Sequence, residues 1–275
     1  MARLDVRRPG SAVEICGRPG YSVHPVRLLI ACAAAFAAGA INSVAGGGTL
    51  VTFPTLIWIG LPSKLANGTS TVALWPGALG SVWGYRREMR GLDRRVYALV
   101  VPSLIGGIGG AILLQLTPTA TFDRLIPFLI LFATCLFWVQ EPLQRRFNLT
   151  MTHDAGSHWL SWTMLYQLGV AVYGGYFGAG IGILMLAALS LMGHKDIHQM
   201  NGLKNLLGMT INGMAAAYFV YIGLVVWQDA LVMMIAAIAG GVGGAGLARR
   251  LGRQVVRRIV IAIGLGMAIS MMFRL

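Results

Sequence analysis

The sequence predicts an all-α polytopic membrane protein: about eight transmembrane helices, short broken or re-entrant segments, and two inverted repeats offset by 134 residues. Three observations predict it. Of 275 residues, 56% are hydrophobic and 11% charged, whereas a soluble domain averages roughly 25% charged. The apolar residues gather into ten stretches. One constant shift brings the glycine, asparagine and arginine motifs of the two halves into register.

The chain divides into a polar tail (1–27), a first transmembrane repeat (28–140), a cytoplasmic linker (141–160) and a second repeat (161–275). The tail carries Arg3, Arg7, Arg8, Arg18 and Arg27 and is expected to be disordered. The apolar run 28–45 follows it like the core of a signal peptide. Gly46, Gly47 and Gly48 lead straight into more apolar sequence, so 28–45 is read as a retained helix.

The first-half stretches are 28–45, 48–61, 66–84, 96–116 and 122–140. The second-half ones are 161–179, 181–193, 203–224, 230–247 and 258–273. A crossing needs about 20 residues. The runs 48–61 and 181–193 are too short, and each follows a glycine cluster: 46–48 in one half, Gly178, Gly180 and Gly182 in the other. Short glycine-interrupted segments at matching places are the mark of broken helices around a transport site.

With the shift of 134, Gly46 falls on Gly180, Gly48 on Gly182 and Asn67-Gly68 on Asn201-Gly202. Gly106, Gly107, Gly109 and Gly110 fall on Gly240, Gly241, Gly243 and Gly244. Cytoplasmic loops are rich in Lys and Arg. The first-half loop with Arg86, Arg87, Arg90, Arg94 and Arg95 has a counterpart without basic residues at 225–229, and the basic-free loop 117–123 has a counterpart with Arg249, Arg250, Arg253, Arg257 and Arg258. The basic loop has changed position between the halves, as inversion requires. The same count puts the arginine-rich tail outside, against the rule.

Three groups of residues carry the candidate chemistry. Gly46, Gly47, Gly48 and Thr49, with Gly180 and Gly182, free the backbone to leave helical geometry. Exposed N–H groups and half-helix N-termini there suit an anion; close helix packing is the competing reading. Asn67, Thr69, Ser70 and Thr71 open an apolar helix, where they line a pore or cap the helix start. Asn201, Lys204, Asn205 and Asn212 form the third group. Asn205 and Asn212 are seven apart and share a helix face. Lys204 is either an intramembrane cation or a side chain reaching the cytoplasmic surface. The glycines at 106–110 and 240–244 read as packing surfaces; Gln115 and Gln167 read as structural glue.

No nucleophile–base pair, phosphate loop or carboxylate pair is present, so no enzyme activity is expected. His194 and His198 flank Lys195 and Asp196 without a third ligand, so no metal is expected. Nor is any cofactor or nucleic-acid partner. The partners expected are a small anionic solute and membrane lipid. The carboxylates are read as confined to loops and tails, which favours uniport or potential-driven movement over coupling through an intramembrane acid.

The run GAINSVAGGGTLVTFP at 39–54, the run GLPSKLANGTS at 60–70, Lys204-Asn205 and the 223–227 corner resemble the sulfite exporter TauE/SafE family. The resemblance spans 28–273. It implies an inner-membrane, multi-pass permease of duplicated, roughly eight-helix design. It implies small sulfur oxyanions and organosulfonates as substrates, with Gly46, Gly47, Gly48, Asn67, Thr69, Ser70, Lys204 and Asn205 at the site. A non-transporting scaffold or sensor subunit is the alternative, and it requires no polar cavity between the halves.

Overall fold

The computed structural model describes residues 25–44, 47–87, 97–147, 159–191, 197–251 and 253–273. The tail 1–24, Gly46, the centre of the linker (148–158), the loop with Arg90, Arg94 and Arg95, and His194 lie outside them. Among the described residues the fold is all-helical. The first five helices are α1 (Pro25–Val44), α2 (Thr49–Trp58), α3 (Ser63–Gly84), α4 (Val100–Leu116) and α5 (Thr119–Phe147). The second five are α6 (Trp159–Tyr176), α7 (Ile181–Leu191), α8 (Ile197–Tyr221), α9 (Trp227–Leu251) and α10 (Arg253–Met272).

The helices α1, α3 and α5 recur 134 residues on as α6, α8 and α10. Packing follows the same register. α1 lies along α9, and their counterparts α6 and α4 lie along each other. Likewise α3 meets α9 as α8 meets α4, while α3–α8 and α5–α10 pair counterpart with counterpart.

Small residues make the closest of these contacts possible. A methyl group on Gly39 would collide with the Ala237 carbonyl, and one on Gly240 with the Phe36 carbonyl. In the other pair, Gly110 lies against the Val172 carbonyl and Gly107 against Ile211 and Gly175. Lipid supplies no hydrophobic drive between helices, so close backbone approach and van der Waals contact hold them. The outer surface is apolar: Ile235, Phe128, Trp138 and Trp162 are all exposed. Two helices contain apolar windows long enough to cross a bilayer, 25–42 in α1 and 119–139 in α5, and shorter apolar helices accompany them.

Both glycine clusters break the chain. Gly47 has φ +92° between α1 and α2; Gly178 and Gly180 have φ +81° and +79° between α6 and α7. A side chain there is strained, because L-residues rarely enter that region. At 1.5 Å per residue, α2 and α7 are each about half a bilayer long.

Three boundaries differ from the sequence reading. α3 begins at Ser63 after the extended Pro62, so Asn67 sits a full turn inside the helix and caps nothing. The Ala66 N–H already bonds the Pro62 carbonyl at 2.8 Å. α5 runs on to Phe147, into the stretch read as linker. The basic stretch 249–258 is helical on both sides of residue 252 rather than a loop, in keeping with the good helix propensity of arginine.

Asp229 is the clearest correction. It was read as a loop carboxylate, yet it lies 3% exposed in the first turn of α9. It accepts a hydrogen bond from Arg27 Nη2 of α1 at 3.3 Å. The apolar α1–α9 contact holds the two charges together.

Candidate functional site

A cavity of about 450 Å³ lies between the two halves. Asn42, Gly47 and Thr49 border it from the α1–α2 break, and Gly180, Ile181 and Gly182 from the α6–α7 break. Thr71, Leu74 and Trp75 border it from α3; Lys204, Asn205, Met209 and Asn212 from α8; Ala237 and Gly241 from α9. Several walls are offset partners: Gly47 with Ile181, Thr71 with Asn205, Trp75 with Met209, Ala78 with Asn212. The space is therefore centred where the two halves of the chain meet.

The breaks aim two helix N-termini at this space. Asn42 Oδ1 accepts the Gly48 N–H at 2.7 Å, which holds the α1–α2 corner. The first turn of α2 forms with Leu50 N–H to the Gly47 carbonyl and Val51 N–H to the Gly48 carbonyl, both at 3.0 Å. In the second break Tyr173 Oη donates to the Ala179 carbonyl at 2.7 Å. Each helix start carries partial positive charge. Lys204 adds a full one. Its stem passes close to Gly182, where an added methyl would come within 3.2 Å of Cδ. Its ammonium donates to Asn201 Oδ1 at 3.2 Å. Among the described residues the cavity wall contains no carboxylate. Positive potential with hydroxyl and amide donors is a setting for an anion.

Of the residues singled out by sequence, Gly47, Thr49, Gly180, Gly182, Lys204, Asn205 and Asn212 border the cavity. Gly46 lies outside the described residues. Gly48 is buried beside the Ala38 carbonyl and Asn42. Asn201 stands behind Lys204 as its acceptor. Asn67, Thr69 and Ser70 are buried away from the wall. Asn67 Nδ2 donates to the Tyr176 carbonyl at 3.1 Å. Thr69 Oγ1 accepts the Val226 N–H at 3.0 Å. Ser70 Oγ shares a hydrogen bond with Thr52 Oγ1 at 2.6 Å. These three bonds tie α3 to α6, to the corner before α9 and to α2, and Phe53 meets Phe177 edge-on beside them. Gln167 and Gln115 bridge helices, to Ser103 and Tyr218 respectively.

The sequence singles out Thr71 but not Asn42, Trp75 or Met209. A signal exists for Trp75: Thr71, Leu74, Trp75 and Ala78 are spaced as one helix face. Asn42 carries no such pattern, since its role depends on the backbone reversal at Gly47.

A family model described as sulfite exporter TauE/SafE matches residues 31–271. The chain is similar to a probable membrane transporter protein of Haemophilus influenzae, 28% identical over 243 residues, covering 86% of this chain and 91% of that one. It is similar to the probable membrane transporter protein ORF9 of Sinorhizobium, 25% identical over 87% of this chain and 90% of the relative. It is similar to the probable membrane transporter protein YfcA of Escherichia coli, 24% identical over 92% of each. No solved structure matches it significantly.

Proposed function

Because the chain belongs to the sulfite exporter TauE/SafE family, a family of membrane transporters, we propose that it is a multi-pass inner-membrane permease for a small anion of the sulfur oxyanion or organosulfonate class. The observation that carries this reading is the convergence of two half-helix N-termini and Lys204 on one cavity with no carboxylate in its described wall. Thr49, Thr71, Asn205 and Asn212 replace the anion's water, and Lys204 with the two helix starts supplies positive potential.

The repeats are inverted with respect to the membrane and work by alternating access. Recurrence of helices and helix pairings at one offset supports this, as does the switch of basic stretches. The cavity extends along Pro76–Ser81 of α3 and past Ile238 and Val242 of α9. Arg86 and Arg87 follow α3 at that end, so it faces the cytoplasm under the positive-inside rule. The Asn67, Thr69 and Ser70 bonds seal the opposite end. Asn67, Thr69 and Ser70 thus serve the site as its closed wall rather than as direct ligands.

Flux through vesicles containing the purified chain tests the reading with sulfite, thiosulfate, sulfoacetate and taurine. At least one sulfur anion is expected to cross, and Lys204→Ala is expected to slow it about tenfold or more, the scale of a lost charge-assisted contact. No flux of any of them, together with no effect of Lys204→Ala, overturns it.

A further inference from the structure

The cavity is much larger than a bare oxyanion and only partly polar. An ion such as sulfite displaces the volume of roughly two or three waters, at about 30 Å³ each. The cavity of about 450 Å³ lies instead in the range of sites for organic ligands. Its polar groups stand at the helix breaks, on α8 and at Thr71 and Ser81 of α3. The remaining wall is apolar: Leu74, Trp75, Leu186, Met209 and Ile238.

Trp75 is fixed in that wall. Its indole N–H donates to the Met209 carbonyl at 3.0 Å. Its ring edge lies on Gly213, where an added methyl would come within 2.7 Å of Nε1. With its one donor committed across the α3–α8 contact, the indole offers the cavity an apolar surface and no hydrogen bond. Such a surface is a poor neighbour for a strongly hydrated ion and a good one for hydrocarbon.

On the anion-permease reading above, we infer that the site holds an organic anion with an apolar tail, its charged head at Lys204 and the helix starts and its tail against Trp75 and Met209. Trp75 is the specificity-determining residue, separating a tailed anion from an inorganic one. Each methylene placed on that wall strengthens binding by about fourfold.

Binding titrations on the purified full chain in detergent test this with sulfite, thiosulfate and the methane-, propane- and butane-1-sulfonates. Affinity is expected to climb about fourfold per methylene and to exceed that of both inorganic ions by butane-1-sulfonate. Trp75→Ala flattens the climb. Met209→Ser, which keeps the backbone acceptor and the Trp75 hydrogen bond, flattens it in part and covers the case of a misfolded Trp75 variant. A flat sulfonate series beside clear binding of sulfite or thiosulfate overturns the tail subsite and leaves the permease reading standing. Binding of none of the five anions overturns both.

Discussion

Trp75 and Met209 stand 134 residues apart, the offset that relates the two halves, and they are joined by a hydrogen bond from the indole N–H of one to the main-chain carbonyl of the other at 3.0 Å. The contact links α3 to α8 at the cavity wall. A methyl group on Gly213 would press against the indole nitrogen from 2.7 Å. Gly213→Ala is therefore expected to displace Trp75 and to cost about 1–3 kcal/mol, the usual range for overpacking. Gly208→Ala meets only the Met185 methyl at 3.5 Å, an ordinary contact, and is expected to be near neutral. Thermal unfolding in detergent compares the two variants.

Neighbouring glycines on α4 separate a packing role from a filler role. Gly110 abuts the Val172 carbonyl and lies 2.7 Å, at its would-be methyl, from the Tyr176 nitrogen. Gly109 has nothing within 4 Å. Gly110→Ala is expected to lower stability by about 1–3 kcal/mol, whereas Gly109→Ala raises it by up to about 0.5–1 kcal/mol through helix propensity. Equal effects in a thermal unfolding comparison would remove the α4–α6 contact as a reason for these glycines.

Asp229 and Arg27 form a part-buried pair. Asp229→Asn removes the charge from their hydrogen bond and is expected to cost about 1.5–3 kcal/mol, the range for hydrogen bonds to charged groups. The double variant Arg27→Met with Asp229→Leu is expected to recover most of that loss. A double-mutant cycle read by melting temperature checks the pattern; an additive double variant would show that the two residues act separately.

Asn67 bonds the Tyr176 carbonyl at the end of α6, a carbonyl with no helical partner ahead of it. Asn67→Leu leaves that buried acceptor unsatisfied, at a cost of about 1–3 kcal/mol. Anion affinity is expected to stay within about twofold of the parent, since 0.4 kcal/mol is the scale of an indirect effect. A large affinity loss at unchanged melting temperature would instead put Asn67 in contact with the anion.

Much of this architecture is legible in the chain because glycine punctuates it. The breaks at Gly47 and Gly180 need positive φ, and only glycine adopts it at little cost, so composition marks the spot. The offset is legible for the same reason: duplicated glycines and asparagines keep their spacing. Burial of Asp229 is not legible, because the apolar stretch begins at residue 230 and the partner Arg27 lies 202 positions away. The helix start at Ser63 was obscured by Ser63 and Lys64, polar residues that interrupt the apolar run although the backbone is already helical. Asn42 escaped because its role is created by a reversal of the chain six residues later.

The two sides of the cavity occupy equivalent positions without carrying equivalent residues. Trp75 stands for Met209 and Ala78 for Asn212, while Lys204 answers to Ser70, which is buried away from the wall. An assembly of two identical subunits could not do this: any ammonium on one side would be mirrored on the other, and two like charges would confront one another across the same small space. Two halves within one polypeptide are free of that symmetry. One lobe can specialise in holding charge and the other in presenting a flat aromatic surface, and each can be altered by mutation without forcing the same change on its twin.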